Sequence, residues 1–468
     1  MGIFHATYPR RWVIAGVVLL SASLTPTSPT MASARSSNPF GPLPWGKEIQ
    51  IAGGGNPGVF TSLSCAARGY CTAVGHWSLI HKFRAPPEGF ILDETHGRWG
   101  KPFAVPGLTV SQRGESTLVS VSCRAPGSCT AGGSVGTGGI LVDEKRGVWG
   151  KARPEPGPHS LAQATPSGVE SVSCGAPGDC AAVGTYGAAG NGSGFVINET
   201  NGVWGAAKDV PGLAALSGGA AAVNAVSCTA VGDCSAAGSW FVGLIQHGFV
   251  VDESHGIWGS AEEIAGLSLN YGGFPHPAFA LSCAAPGDCE ATGVTDEGHG
   301  HGTGFVVDER GGVWGAAKAI PGFASLNSGD DGGATAISCW AVGSCDAVGM
   351  YSDTSGLGAE FGFLVEERAG TWHGASAIPG LVGVVRGGYA DPTTISCDAT
   401  GDCAAGGVNG TANFLVDKVL GVWHDATSVR NGGGKSTEIS CVAGDHCVVA
   451  TDAYRPAETG EVASGPVL

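Results

Sequence analysis

Hydrophobic and polar positions alternate along this chain in short runs, separated by turns rich in glycine and proline, and the runs repeat. One unit reads SVSCGAPGDCAAVG at 171–184 and continues as GFVINETNGVWGAAKDVPG at 194–212. Ser171, Val172 and Ser173 alternate as a half-buried strand does, which makes strand A. The turn APGD follows, where Pro and Gly suit a tight reversal for different steric reasons. Strand B runs from Cys180 to Gly184, and strand C is the apolar run at 194–197. After the turn NETNG, strand D starts at Trp204 and ends at Pro211-Gly212. Beyond the N-terminal 34 residues no stretch sustains apolar positions at helical spacing, so almost no helix is expected.

The unit occurs seven times, and an eighth copy is divided between the two ends of the chain. Its period is carried by cysteines: Cys65/Cys71, Cys123/Cys129, Cys174/Cys180, Cys228/Cys234, Cys283/Cys289, Cys339/Cys345, Cys397/Cys403 and Cys441/Cys447. Every pair encloses five residues, successive pairs begin 44 to 58 residues apart, and all sixteen cysteines are used. The strand-D tryptophan recurs at Trp99, Trp149, Trp204, Trp258, Trp314, Trp372 and Trp423. Near the start, WGKEIQIAG from Trp45 matches WGAAKDVPG from Trp204, whereas Cys441/Cys447 has no such strand after it. Four-stranded units of this length predict an all-β fold, a β-propeller of eight blades. The strand at 45–53 completes the last blade and closes the ring, which removes the open sheet edge. Strand C of that blade is then drawn from GEVASGPVL at 460–468, and seven blades with an additional hairpin is the alternative count.

The first 34 residues read as a secretory signal: Arg10 and Arg11 precede the apolar run WVIAGVVLLSASL, and Ala32-Ser33-Ala34 offers a cleavage site. The run is too short to span a bilayer, and no later one is long enough. Residues 35–41 form a disordered lead-in, and 42–468 a single propeller domain. The expected location is therefore extracellular, where paired cysteines at fixed spacing are disulfides. Each staple closes a small ring worth roughly 2 kcal/mol. That matters in a chain with 81 glycines, which lose much freedom on folding. Two thiols per blade cannot supply four zinc ligands.

Charge narrows the partners. The formal net charge is −16, or −18 once Arg10 and Arg11 leave with the leader, and no basic stripe interrupts it. Nucleic acid and anionic membrane surfaces are excluded as partners on this ground. A glycan or an envelope protein remains, met by a monomer.

Loop lengths suggest which face works. The A–B and C–D turns hardly vary, while B–C and D–A loops do, from NGGGKS at 431–436 to LVGVVRGGYADPT at 381–393. In an up-and-down blade these two classes lie on opposite faces, and variable loops carry recognition. At the exit of strand B stand Trp77, Tyr186, Trp240 and Tyr351, whose rings could stack on sugar faces or instead fill the wedge between blades. Asp296, Glu297, His299 and His301 in TDEGHGHGTG suit a cation, the one cofactor the chain suggests, and GDDGG at 329–333 is a fainter hint of calcium. The Asp-Glu pairs ending strand C (Asp93-Glu94, Asp143-Glu144, Asp252-Glu253, Asp308-Glu309) recur in blade after blade and read as turn-capping residues. His76, His81, His247 and His276 lie in variable loops, and no catalytic set can be assembled from them.

The pattern SxSCxAxGxCxAxG followed by a Trp-starting strand, over residues 42–450, resembles the Cys-paired repeats of secreted actinobacterial propeller-like proteins. That resemblance implies a β-propeller and export and brings no catalytic residues with it. More distantly, the Gly-x-Trp hairpin is similar to the Asp-box of sialidase-type propellers, although in VDETHGRWG the Gly lies four residues after Asp93 and the Trp six. The expected function is a secreted binding module for cell-surface or environmental glycan on the variable-loop face. An exported polysaccharide hydrolase or lyase acting at the channel mouth is the alternative, and an envelope interaction platform a third.

Overall fold

A computed structural model of the chain describes residues 2–6, 49–50, 58–77, 87–108, 116–155, 167–187, 192–217, 220–242, 245–270, 279–296, 302–329, 331–353, 360–384, 389–410, 412–429, 437–443 and 446–451. It is an all-β propeller. Seven sheets are each built from one continuous stretch, with strands A to D in chain order from the axis outward. Their inner strands are Gly58–Ala67, Ser116–Ala125, Ser167–Ala176, Ala221–Ala230, Ala280–Ala285, Gly332–Ala341 and Asp391–Cys397, which define blades 1 to 7. Three short helical turns, Leu213–Ser217, Phe323–Leu326 and Leu381–Val384, lie in the connections that follow strand D.

The eighth place in the ring is taken by a composite sheet from the two ends. Thr437–Val442 pairs with His446–Thr451, which pairs with Gly2–Ala6, which pairs with Ile49–Gln50. Ring closure by the N-terminal segment is therefore present, and the blades number seven, the alternative count, with this composite sheet standing between blades 7 and 1. The third strand differs from expectation: Gly2–Ala6 takes it, while Trp45 and residues 460–468 lie outside the described residues. Because Gly2–Ala6 belongs to the stretch read as a leader, cleavage after Ala34 would remove that strand and bare the edge of His446–Thr451.

Each blade is held flat by the same devices. All eight cysteine pairs are bonded, each clipping the end of strand A to the residue opposite on strand B. The C–D turn has two central residues in left-handed conformation, such as Asn201 (φ 51°) and Gly202 (φ 78°), the hairpin geometry whose twist matches that of its strands. Its glycine N–H then donates to the A–B turn, as Gly202 N to Gly178 O at 2.7 Å, so both turns share one face. Strand C contributes a fully buried phenylalanine in six of the seven blades, Phe195 in blade 3. That ring lies over Gly184 of strand B, where a Cβ would stand 2.8 Å from Phe195 Cζ and 2.0 Å from the Gly168 carbonyl. The recurring glycine therefore makes room for the ring.

The bridges, expected from the spacing, lie within the packing. The second sulfur of every pair is buried: Cys71 and Cys289 are only 3% and 2% exposed, and Cys129, Cys180, Cys234, Cys345, Cys403 and Cys447 are buried with them. Cys71 packs with Phe60, Leu63 and Phe90 in the core of blade 1, and the Cys289 sulfur of blade 5 lies 3.3 Å from Ser235 Oγ of blade 4. Strand alternation explains this, because the first residue of strand B faces the same seam as the apolar residues that follow it at every second place. The cysteines are therefore staples within the packing.

Apolar clusters fill the wedges between blades, as Val183 and Val196 of blade 3 do against Val223 and Phe249 of blade 4. Val448 and Ala450 of the composite sheet pack on Phe60 and Phe90 of blade 1, and Val449 on Leu415 of blade 7. Two polar rings link the blades as well. The serine before the first cysteine accepts the cysteine N–H of the next blade: Cys123 from Ser64, Cys174 from Ser122, Cys228 from Ser173, Cys283 from Ser227, Cys339 from Ser282, Cys397 from Ser338 and Cys441 from Ser396. Cys65 N to Ser440 Oγ, at 3.0 Å, closes the circle.

The second ring revises the reading of the Asp-Glu pairs as turn caps. The aspartate accepts the indole N–H of the next blade's tryptophan, as in Trp149 to Asp93 at 2.9 Å and Trp372 to Asp308 at 2.8 Å. The glutamate points to the other side of the strand and is buried. Strand alternation puts the two carboxyls into two different seams, one on each side of the blade.

Replacing Ser64 by Ala leaves the Cys123 N–H without its acceptor and should destabilise the oxidised protein by about 1 kcal/mol. Thermal unfolding of Ser64→Ala beside the exposed Thr371→Ala checks this; equal midpoints would remove the serine ring from the forces holding the blades together.

Candidate functional site

The variable-loop face carries a group of acids over the seam between blades 6 and 7. Strand B of blade 6 ends there at Tyr351 and Ser352, and strand C begins opposite at Glu360. The inner strands of blades 6 and 7 begin beside them, at Gly332 and Asp391. Asp331 precedes Gly332 and is hooked in place by its backbone: its N–H donates to Ser352 Oγ at 3.1 Å, and its carbonyl accepts Ser352 N–H at 2.8 Å. Asn327 steadies the same corner by donating to Gly302 O and accepting from Ser352 N–H. The connection into blade 7 crosses back, so that Tyr389 bridges Glu360 and Ala390 N–H donates to Glu360 O at 2.9 Å. Tyr389 is the exposed member, 37% accessible, and its hydroxyl donates to Asp391 Oδ2 at 3.3 Å.

Three carboxyls and two phenols thus share a half-buried corner. Burial raises the Glu360 carboxyl above its ordinary range, and the charges of Asp331 and Asp391 raise it further. Asp391 is raised by burial, against which the Tyr389 hydrogen bond works. Tyr389 itself is pushed up to about 12 by burial first and then by Asp391 and Glu360. Tyr351 is raised by burial and by the charge of Asp353. Such a corner can accept hydrogen bonds from hydroxyl or ammonium groups.

Of the four aromatic positions, Tyr351 lies in this corner, only 8% exposed and packed on Phe361 at 5.6 Å. The other three stand at the corresponding places on blades 1, 3 and 4. Trp240 is buried and stacks on His247 at 4.2 Å, with its Nε1 lacking a hydrogen-bond partner. Trp77 leans on Phe90 at 5.0 Å, and the Tyr186 hydroxyl donates to Asp209. All four occupy the wedge position that strand alternation assigns them, each on its own blade, so they do not converge on one site. Asp296 ends strand B of blade 5, while Glu297, His299 and His301 lie outside the described residues, as do His81 and His276. Sequence reasoning did not bring Glu360, Tyr389 and Asp391 together, because they come from two different blades. The signals were GDDGG at 329–333, which contains Asp331, and the variable connection LVGVVRGGYADPT at 381–393, which contains Tyr389 and Asp391.

No protein-family model and no curated protein matches the chain. Among solved structures it is similar to an ulvan lyase of polysaccharide lyase family PL25, at 10% identity over 78% of this chain and 92% of that one, with a TM-score of 0.41. It is similar also to a subtype N11 neuraminidase-like protein of a flat-faced bat H18N11 strain, at 12% identity over 68% and 90%, with a TM-score of 0.34. The acylaminoacyl peptidase of Pyrococcus horikoshii matches at 9% identity over 79% of this chain and 52% of that one, with a TM-score of 0.39. At these identities the likeness is one of fold.

Asp391→Asn removes one of the charges that oppose the Tyr389 phenolate, so that phenol should titrate closer to its ordinary value of 10.0. Ultraviolet titration, with Tyr389→Phe subtracted from each background, reads the midpoint. An unmoved midpoint would mean the two groups are not electrically linked.

Proposed function

We propose that the protein is an exported glycan-binding module, and that its ligand sits on the variable-loop face over the seam of blades 6 and 7. The convergence of Asp331, Glu360, Asp391 and the exposed Tyr389 ring carries this reading. Sugars are recognised by an aromatic face against the ring and by acceptors for the hydroxyls, and both are present here. The acids repel uronates and sulfated sugars, which leaves neutral or amino sugars as the class, in keeping with a net charge of −16. Eight disulfides suit an oxidising compartment outside the cell, and among the described residues no helix is long and apolar enough to cross a membrane.

A second reading has its own support. Glu360 and Asp391, both raised by burial and close enough to sense each other, are the kind of acid pair that cleaves glycosidic bonds. Under that reading the ligand is a substrate, and turnover rather than retention is observed.

A glycan array probed with the full-length protein separates these outcomes. Neutral or amino glycans should be retained, and Glu360→Gln combined with Asp391→Asn should weaken retention about tenfold or more, the loss of two charged hydrogen-bond acceptors. Release of reducing ends from the retained glycan would replace the binding reading by the hydrolytic one. Retention of sulfated or uronate glycans alone would overturn both.

A further inference from the structure

On the face of the fixed turns, the seam between blades 6 and 7 departs from the repeat at four places at once. Strand C of blade 7, Asn413–Val419, carries Lys418 where blades 1 and 6 carry Glu94 and Glu367. Glu366 stands where blades 1 and 5 have Asp93 and Asp308. The residue after the second cysteine is Thr72 in blade 1 and Asp346 in blade 6, and the residue after the first is Ala66 in blade 1 and Trp340 in blade 6. The four substitutions meet. Strands B and C of blade 6, Ser344–Ser352 and Glu360–Arg368, hold Asp346 and Glu366 directly opposite each other. Lys418 reaches both from the next blade, its Nζ 2.6 Å from Asp346 Oδ2 and 2.9 Å from Glu366 Oε1. The rings of Trp340 and Trp423 wall the ammonium, with centroids at 4.7 and 5.9 Å.

The two carboxyls are held differently. The Lys418 and Asp346 side chains are only 3% and 1% exposed, so water scarcely solvates the pair. Asp346 Oδ1 is buried without a hydrogen-bond partner. Its Oδ2 meets, besides Lys418, the Cys403 sulfur at 3.1 Å, which the bridge to Cys397 leaves with no proton to give. Glu366 is well supplied by contrast: Trp423 Nε1 donates to Oε1 at 3.2 Å and Arg368 to Oε2 at 2.5 Å. Burial accordingly pushes the Asp346 carboxyl up to about 7 against the pull of Lys418. Glu366, which burial alone would raise, is held below its ordinary range by Lys418 and Arg368. A dry amine thus lies against a carboxyl that favours its proton, with an ionised carboxylate beside both.

We propose that Lys418 and Asp346 condense to an isopeptide bond in the folded chain, with Glu366 carrying the proton, so that blades 6 and 7 are joined covalently. Proton transfer across the 2.6 Å contact turns the ion pair into an amine and a neutral carboxyl. Nζ then attacks Cγ of Asp346, and the C–N bond forms. Glu366 takes a proton from the nitrogen and returns it to the departing oxygen, whose C–O bond breaks. Of the three ammonium protons, one stays on the amide nitrogen and two leave in a molecule of water. Glu366 ends as it began, and no oxidant or reductant is consumed. Contact within the fold supplies the effective concentration that such a condensation lacks between free side chains in water. Loss of two buried charges, expensive to keep out of water, favours the product.

The test is mass spectrometry of a tryptic digest of the folded full-length protein, reduced and alkylated before cleavage so that no disulfide can hold peptides together. Trypsin does not cut at an acylated lysine, so peptides 319–368 and 387–430 should appear joined and lighter than their sum by one water. Separate peptides, with the second cut after Lys418, overturn the proposal. Asp346→Ala should yield no joined species, and one that persisted there would place the link on another residue and overturn it too. Glu366→Gln keeps both reacting groups and should lower the joined fraction by about tenfold or more. Equal joining in that variant removes the glutamate from the step. The digest of the parent decides whether the bond exists even if a variant fails to fold.

Discussion

The ring depends on a short hydrogen bond between neighbouring inner strands, from a cysteine N–H to the serine hydroxyl of the blade before it. The innermost strand of any propeller blade has one edge with no strand beyond it, and its N–H groups there need acceptors. Serine is short enough to reach across without pushing the blades apart. Eight such bonds of about 3 Å run from Ser64 round to Ser440, and the last of them joins the C-terminal hairpin to blade 1. The apolar wedges supply most of the attraction, being proportional to area and indifferent to direction. The serine bonds set how far one blade is turned against the next.

Much of this was legible because it repeats. Cysteine spacing showed the hairpins, the strand-D tryptophans set the period, and WGKEIQIAG at 45–53 pointed to closure by the N-terminal region. The meaning of individual residues was harder to read. SxSC looked like plain strand alternation, and the destination of the serine hydroxyl in the next blade cannot be seen within one unit. The Asp-Glu pair suffered the same way: read inside its own hairpin it looks like a turn cap, whereas Asp93 serves Trp149, 56 residues on. Gly2–Ala6 as a strand had no signal, because one of its two partners, His446–Thr451, lies more than 440 positions away and its composition suits a leader.

The candidate site was less legible still, for a related reason. Tyr351 was singled out because it shares its place with Trp77, Tyr186 and Trp240, yet it is set apart by its company: Asp331, Glu360, Tyr389 and Asp391 occur on no other blade in this combination. Repetition draws attention to what all blades share, and specific chemistry arises where one seam departs from the rest. The two faces divide accordingly. Fixed turns stitch one side with glycine, serine and tryptophan contacts, and the opposite side is free to differ from blade to blade.

The sulfur bridges have a consequence for biogenesis. Each joins residues six apart, within one hairpin. Each thiol therefore meets its proper mate, six positions on, before any other cysteine has been made, so the sixteen can be paired locally. The final latch is of the opposite kind. Cys441 and Cys447 belong to the sheet that holds Gly2–Ala6, so the circle stays open until that hairpin has been made. Local oxidation is early and nearly unambiguous, whereas joining head to tail waits for the hairpin at 437–451.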